Sequence, residues 1–339
     1  MNRYLRQTIL PEIGQTGQQK LMDAHVLILG CGGLGGPVAA YLAGAGIGNL
    51  TLVDGDQPEE TNLHRQVFFQ TGATGNKAAL LAKHCLKLNP GTRVRAHETY
   101  LEANNARQLI ENADLVVECT DHAPTKHLVS DACHLLSKPL VYAAVHKYEG
   151  YVALFPNESK DDLHLRDLFP LPDPNIPDCA TVGVLPTAVG IIALLQANAA
   201  LCYLLGIGAP PIRKLLTYNA LDNSQHRLAL RKSYTMPIIP PWQSSRPSRE
   251  ELETDATLED FPNYDLVFSM LDEQREPELP HGVIRLTKRN PFGQCLERMT
   301  PGGNYLIYCN SGKLSLMLAS QIRKHDPEIR AVSLRTGKP

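Results

Sequence analysis

Residues 25–54, HVLILGCGGLGGPVAAYLAGAGIGNLTLVD, constrain the fold more than any other stretch. An apolar run of strand type (25–30) enters a turn carrying Gly30, Gly32, Gly33 and Gly35. A helical pattern (37–46) follows, and a second strand (49–54) ends in Asp54. Strand, glycine turn, helix and strand in this order form a βαβ unit, whose strands are parallel. Glycines let the backbone approach a phosphate, and the helix N-terminus adds N–H donors and a positive dipole end. An acid at the end of the second strand can accept hydrogen bonds from ribose hydroxyls. A merely structural turn requires none of these partners, so the pattern points to a nucleotide site.

The alternation continues. Helical spacing at 76–88, 102–113 and 123–137 is interleaved with strand patterns at 92–98, 114–120 and 139–145. The expected fold class is α/β, a Rossmann-like, mostly parallel sheet with helices on both faces. The apolar stretch 182–206 is interrupted by Pro186, Gln196 and Asn198 and reads as a buried core helix, not a membrane span. The stretch 234–254, rich in Pro, Ser and charge, reads as a linker between a first domain (1–233) and a small α/β domain (255–339). The second domain is short for an independent core and reads as leaning on the first or as incomplete. The 33 basic residues are unclustered and the net charge is −2, which argues against a nucleic-acid groove. The N-terminus has no apolar signal-peptide core, so the expected compartment is the cytoplasm.

A nicotinamide oxidoreductase is one reading of the glycine loop, but no hydride-transfer acid or base stands out. Asn62, Arg65 and Lys77 follow Asp54 instead. Extra cations suit a triphosphate, whose charge must be neutralised as pyrophosphate leaves. Asp121 stands just past a strand end, the edge where α/β sheets bind ligands, and is placed to hold magnesium on the phosphates. Taken singly, Arg65 could be a surface ion pair and Asp121 a helix cap. Eight cysteines include no CxxC pair. Cys31, Cys85, Cys119, Cys133 and Cys202 lie in strand or helix patterns and read as small buried side chains. Cys179 stands between a proline-rich loop and a long apolar helix. The helix dipole would lower its pKa and neighbouring Asp178 would raise it, so nucleophile and buried hydrophobe both remain open.

The order RYLRQ, GCGGLG, LVDGD, TNLHRQ, GNK, ECTD and CATVGVLP, over residues 3 to about 233, resembles the ThiF/MoeB/HesA group, prokaryotic relatives of ubiquitin-activating enzymes. The resemblance implies an adenylyltransferase that uses ATP and magnesium on the C-terminal glycine of a ubiquitin-like (β-grasp) sulfur carrier ending in Gly-Gly. Sulfur chemistry then yields a thiocarboxylate for thiamine, molybdopterin or tRNA thiolation. It implies that Gly30, Gly32 and Gly33 cradle phosphates and Asp54 holds the ribose. Asn62, Arg65 and Lys77 bind the triphosphate, and Asp121 holds magnesium. His122, usually Asn in the family, contacts the nucleotide. Arg6 reaches into a partner subunit's site, so a homodimer is expected. Cys179 takes part in acyl or persulfide transfer, and a cysteine desulfurase is a candidate sulfur source. Relatives carry two CxxC pairs on a structural zinc. Here His164 and Asp167 occupy the first pair and the SYTMPIIPP stretch offers no second, so zinc is not expected.

Cys309 follows a strand in LIYCNSGKLS, a loop with Gly312 and Ser315 before a helix, and this resembles the active-site loop of a rhodanese (sulfurtransferase) domain. Backbone donors around such a loop would stabilise a thiolate or persulfide. Lys313-Leu314 stands where rhodaneses carry an arginine, and RTGKP falls where that family continues through a glycine pair and a last helix. The alternative is an adenylating enzyme for another carrier or a peptide, with an inert rhodanese-like binding module. A non-enzymatic scaffold is a third reading, disfavoured by the intact cation set. Cys295, in a proline-flanked segment, receives no role.

Overall fold

The computed structural model describes residues 3–159, 161–170, 183–242, 249–287, 290–310 and 312–335. The chain divides into two compact units between Trp242 and Gln243.

The first unit runs α1 (Leu5–Thr8), α2 (Gly14–Asp23), β1 (His25–Leu29), α3 (Gly35–Ala45), β2 (Asn49–Val53), α4 (Lys77–Leu88), β3 (Arg93–His97), α5 (Ala106–Ile110), β4 (Leu115–Glu118), α6 (Ala123–Leu135), β5 (Leu140–His146), β6 (Glu149–Phe155), α7 (Pro186–Leu205), β7 (Lys214–Asn219) and β8 (Gln225–Ala229). Its eight strands are ordered β3-β2-β1-β4-β5-β6-β7-β8. β1 to β5 pair in parallel, and β6, β7 and β8 extend the sheet antiparallel. Alternation along β1 sorts the core. Val26 and Ile28 face one side, with residues of α3, α4 and α7, while Leu27 and Leu29 face the other, with residues of α5 and α6. Pro186–Leu205 is long and apolar enough to cross a membrane by length and composition, and half of it is buried in the unit. Its small residues Ala193, Ala197 and Ala200 let it pack closely in the core with α3 and the sheet.

β1 lies between β2 and β4, so the chain's winding reverses there. Sheets of this kind bind ligands at the C-terminal edge of such a reversal.

The first unit extends further than the sequence suggested. Within the expected linker, Tyr234 donates its backbone N–H to Asp167 at 2.8 Å, and Trp242 packs among the hydrophobic residues of the second face. Arg107 lies 6.0 Å above the Trp242 ring. At the linker's other end, Glu253 and Thr254 already pair with Ser333 and Leu334 of the second unit. Charge and proline made this stretch look unstructured, but tertiary partners fix both of its ends.

His164 and Asp167 form a clasp. Asp167 accepts N–H groups from Ser233 and Tyr234 (both 2.8 Å) and from His164 (3.0 Å), while Ser233 donates its hydroxyl to the Asp167 carbonyl. His164 Nδ1 accepts the Arg166 N–H, and Arg166 forks onto Asp131 with two bonds of 2.7 Å. His164 Nδ1 and both Asp167 carboxylate oxygens are thereby engaged within the protein. Burial opposes ionisation of Asp167, yet the three N–H donors outweigh it and hold the carboxyl below its ordinary value. A carboxyl depressed in the folded state stabilises fully above its unfolded pKa of about 4 and loses that contribution as pH falls. Asp167→Ala is expected to cost about 1–2 kcal/mol near pH 7, after discounting for the half-exposed site. In thermal unfolding the gap from wild type narrows as pH drops below about 4.

The second unit runs α8 (Arg249–Leu252), β9 (Glu253–Thr254), β10 (Leu266–Ser269), β11 (Val283–Arg285), α9 (Pro291–Leu296), β12 (Asn304–Tyr308), α10 (Lys313–His325) and β13 (Arg330–Leu334). Its five strands are all parallel, ordered β11-β10-β12-β13-β9. Phe268, Ile307 and Ile322 fill one face, and Val267, Tyr308 and Leu334 the other, so the unit buries a core of its own. Cys295, given no role from sequence, sits in that core, its thiol pushed up to about 12 by burial. Among the cysteines expected to be buried, Cys202 is the exception. It is half-buried on α7 with Asn198 as its partner.

Candidate active site

The glycine loop closes where β1 becomes α3. Gly30 has φ +88°, and a Cβ there would come within 2.9 Å of the Cys119 carbonyl, so the loops after β1 and β4 touch. A Cβ on Gly35 would lie 1.8 Å from the Gly30 carbonyl oxygen, so the loop turns into the helix only with glycine there. The Arg65 carbonyl sits 3.4 Å from the Cβ position of Gly33, which lays the 62–66 segment against the loop.

Asp54 closes one side. Its Oδ2 accepts the Cys31 N–H at 2.7 Å and its Oδ1 the Asp56 N–H at 2.8 Å. Burial raises its pKa against the pull of those two donors. Asn76 caps α4, accepting the Ala78 N–H, and its Nδ2 donates to the Asp54 carbonyl at 2.7 Å. The cap sets Lys77 at the first helical position, only 6% exposed. Its Nζ pairs with Asp56 Oδ2 at 3.0 Å, and its charge acts on both Asp54 and Cys31. Tyr100 donates its hydroxyl to the other Asp56 oxygen.

Asp121 is exposed in the loop after β4, with no hydrogen bond or ion pair among the described residues. Glu118, fully buried at the end of β4, anchors that loop. One oxygen accepts both the N–H (2.8 Å) and the hydroxyl of Thr120; the other takes the Lys126 ammonium. Lys126 also donates to the Ala143 carbonyl at 2.8 Å and lies 5.0 Å from the Tyr142 ring centroid.

The fold therefore gathers Gly30, Gly32, Gly33, Asp54, Arg65 and Lys77 around the loop and sets Asp121 on the facing loop. Among the described residues the Arg65 guanidinium bonds the neighbouring His64, at 3.3 Å, which leaves it available to an anion. Asn62 is held by Glu59 at 3.1 Å, and His122 Nδ1 bonds Thr125 Oγ1 at 2.9 Å within its own helix. Arg6 is exposed on α1. Cys179 lies outside the described residues. Cys309 belongs to the second unit, where the backbone and hydroxyl of Ser315 donate to its sulfur at 3.4 and 3.3 Å. Sequence reasoning missed Asp56, Tyr100, Glu118 and Lys126. The second acid of LVDGD and the ECTD stretch were visible, but their partners were not.

What these residues build is a nucleotide-binding domain of the adenylating class. The sequence profile of the ThiF family matches residues 4–237, and the chain belongs to that family. It is 41% identical to the sulfur carrier protein adenylyltransferase of Thermus thermophilus, over 74% of this chain and 94% of that protein. The adenylyltransferase/sulfurtransferase MoeZ of Mycobacterium tuberculosis is 38% identical over 70% of this chain. The chain spans 62% of the MoeZ length. A crystal structure of E. coli MccB with ATP superposes with a TM-score of 0.60 at 25% identity, over 70% of this chain and 73% of that one.

Proposed function

We propose that this chain is an ATP-dependent adenylyltransferase that activates the C-terminal glycine of a ubiquitin-like sulfur carrier ending in Gly-Gly. The observation that carries this reading is the convergence of Lys77 and Arg65 on a glycine loop at the sheet's switch point. The Thermus thermophilus relative, named a sulfur carrier protein adenylyltransferase, supports the substrate class.

In the reaction a carrier carboxylate oxygen attacks the α-phosphorus of ATP. The bond from that phosphorus to the bridging oxygen breaks, and pyrophosphate leaves with the electron pair. Gly32 and Gly33 would present backbone N–H groups to the phosphates and Asp54 would accept from the ribose; the Gly30 N–H is held by the Val53 carbonyl at 2.9 Å, so Gly30 serves through its turn. Lys77 and Arg65 offset the charge that grows on the leaving pyrophosphate. Asp121, exposed and without an ion pair among the described residues, fits a hard cation and would hold magnesium, which would neutralise phosphate charge when bound. Asn62 and His122 would turn from their present partners to the nucleotide. Arg6 would serve the site of a second copy in a homodimer. Cys179 remains a candidate for the thiol that takes the acyl group.

The second unit fits a sulfurtransferase role. Its strand order, with Cys309 just past the central β12, supports the rhodanese resemblance, and Ser315 already donates to the sulfur. Cys309 thiolate would attack the outer sulfur of a donor such as thiosulfate, forming a persulfide and releasing sulfite. A cysteine desulfurase is the alternative source.

The test is ATP–pyrophosphate exchange with a Gly-Gly-ending carrier from the same genome. Exchange that disappears when the terminal glycine is removed establishes acyl adenylation; no exchange with any such carrier refutes it. Thiosulfate:cyanide sulfurtransferase activity is expected to vanish in Cys309→Ala while carrier-dependent exchange persists. An inactive wild type in that assay would favour an inert binding module.

A further inference from the structure

We propose that Tyr100 is a positioning residue of the nucleotide site, fixing Asp56 so that Lys77 is held ready beside the glycine loop. The proposal deepens the reading of this site as one for ATP and rests on it. Asp56 is a hub. Its N–H donates to Asp54, its carbonyl accepts the Lys77 N–H at 2.9 Å, and its carboxylate is shared between Lys77 and Tyr100. The carboxylate is half-exposed, whereas the Lys77 side chain is 7% exposed. A free aspartate there could turn to water and leave the buried ammonium without its partner. Tyr100 prevents the turn by occupying the second oxygen.

Three features show that the tyrosine is built into this position. Its ring packs against Gly55, where a Cβ would come within 2.6 Å of two ring carbons. Its carbonyl is held by Asn105 Nδ2 at 2.9 Å, which ties it to the start of α5. The hydrogen bond to Asp56 pushes its hydroxyl up to about 12, so it remains a donor at physiological pH. Burial disfavours the Asp56 charge, but the bonds from Tyr100 and Lys77 hold its carboxyl below the ordinary value, so the pair stays ionic. The result is a cation fixed in place before the phosphates arrive, which lowers the ordering cost of binding them.

The readout separates positioning from general packing, because AMP lacks the phosphates that Lys77 serves. By isothermal titration of the full chain, Tyr100→Phe is expected to weaken Mg-ATP binding about fivefold and to leave AMP within about 1.5-fold. Gly55→Ala, which displaces the ring, is expected to give the same ATP-selective loss. In an Asp56→Asn background, adding Tyr100→Phe is expected to change ATP affinity no further, since the tyrosine acts through that aspartate. The proposal is overturned by unchanged or tighter ATP binding in Tyr100→Phe, by equal losses for ATP and AMP, or by additive effects with Asp56→Asn. A wild-type chain that binds no Mg-ATP refutes the nucleotide reading itself and the proposal with it.

Discussion

Replacing Lys77 by alanine is expected to lower carrier-dependent ATP–pyrophosphate exchange by about 10²–10³-fold, the usual cost of removing one preorganised charge contact to a transition state. Lys77 is held almost wholly out of water at the start of α4, with Asp56 paired to it at 3.0 Å. A cation so placed does not reorganise when negative charge moves onto pyrophosphate. Alanine is a good helix former at that position, and Asp56 is exposed enough to be resolvated, so the variant folds. The expected signature is a large fall in kcat with a native melting temperature. Lys77→Arg, which keeps charge but changes reach, recovers part of the loss. A Lys77→Ala enzyme retaining more than about a tenth of wild-type exchange contradicts the assigned role.

Lys126→Met carries the largest expected effect on stability, a loss of about 3–5 kcal/mol. Glu118 is fully buried, and Lys126 neutralises it from 7% exposure. With the lysine gone, two bonds from Thr120 remain on one oxygen, but the charge is uncompensated. In a unit of this size the melting temperature falls by roughly 6–20 °C. Glu118→Gln added to Lys126→Met removes the charge and is expected to restore much of the stability, with the coupling read from a double-mutant cycle of urea melts. Because Glu118 anchors Thr120, the neighbour of Asp121, the single variant is also expected to lose exchange activity beyond what unfolding explains. A Lys126→Met protein that melts like wild type would show the pair to be dispensable.

Much of this was legible in the order of residues. The glycine spacing, the strand before it and Asp54 after it are local features, and local sterics and dipoles fix what they can form. The alternation of period-two and helical patterns announced a parallel sheet for the same reason. Lys77 and Arg65 were legible as surplus cations, and Asp121 as an acid past a strand end. The partners at the ends of the expected linker were not legible, because composition reports what a segment tends to do alone. Ser233 and Tyr234 are held by an aspartate 66 and 67 positions earlier, a partner that composition does not reveal.

The sequence alone determined the class of this protein: a βαβ phosphate loop with more cations than a dinucleotide requires, and a second α/β unit carrying a cysteine loop. Tertiary structure decided what holds those residues in place. Only the strand order sets β1 beside β4, so that the glycine loop faces Asp121 across a switch point. Only folding brings Tyr100 to Asp56, 44 residues away, and encloses Glu118 with Lys126. Backbone propensity and side-chain period act over a few residues and are written locally. The partner of a buried charge is chosen by sheet register and helix packing, which depend on the whole chain.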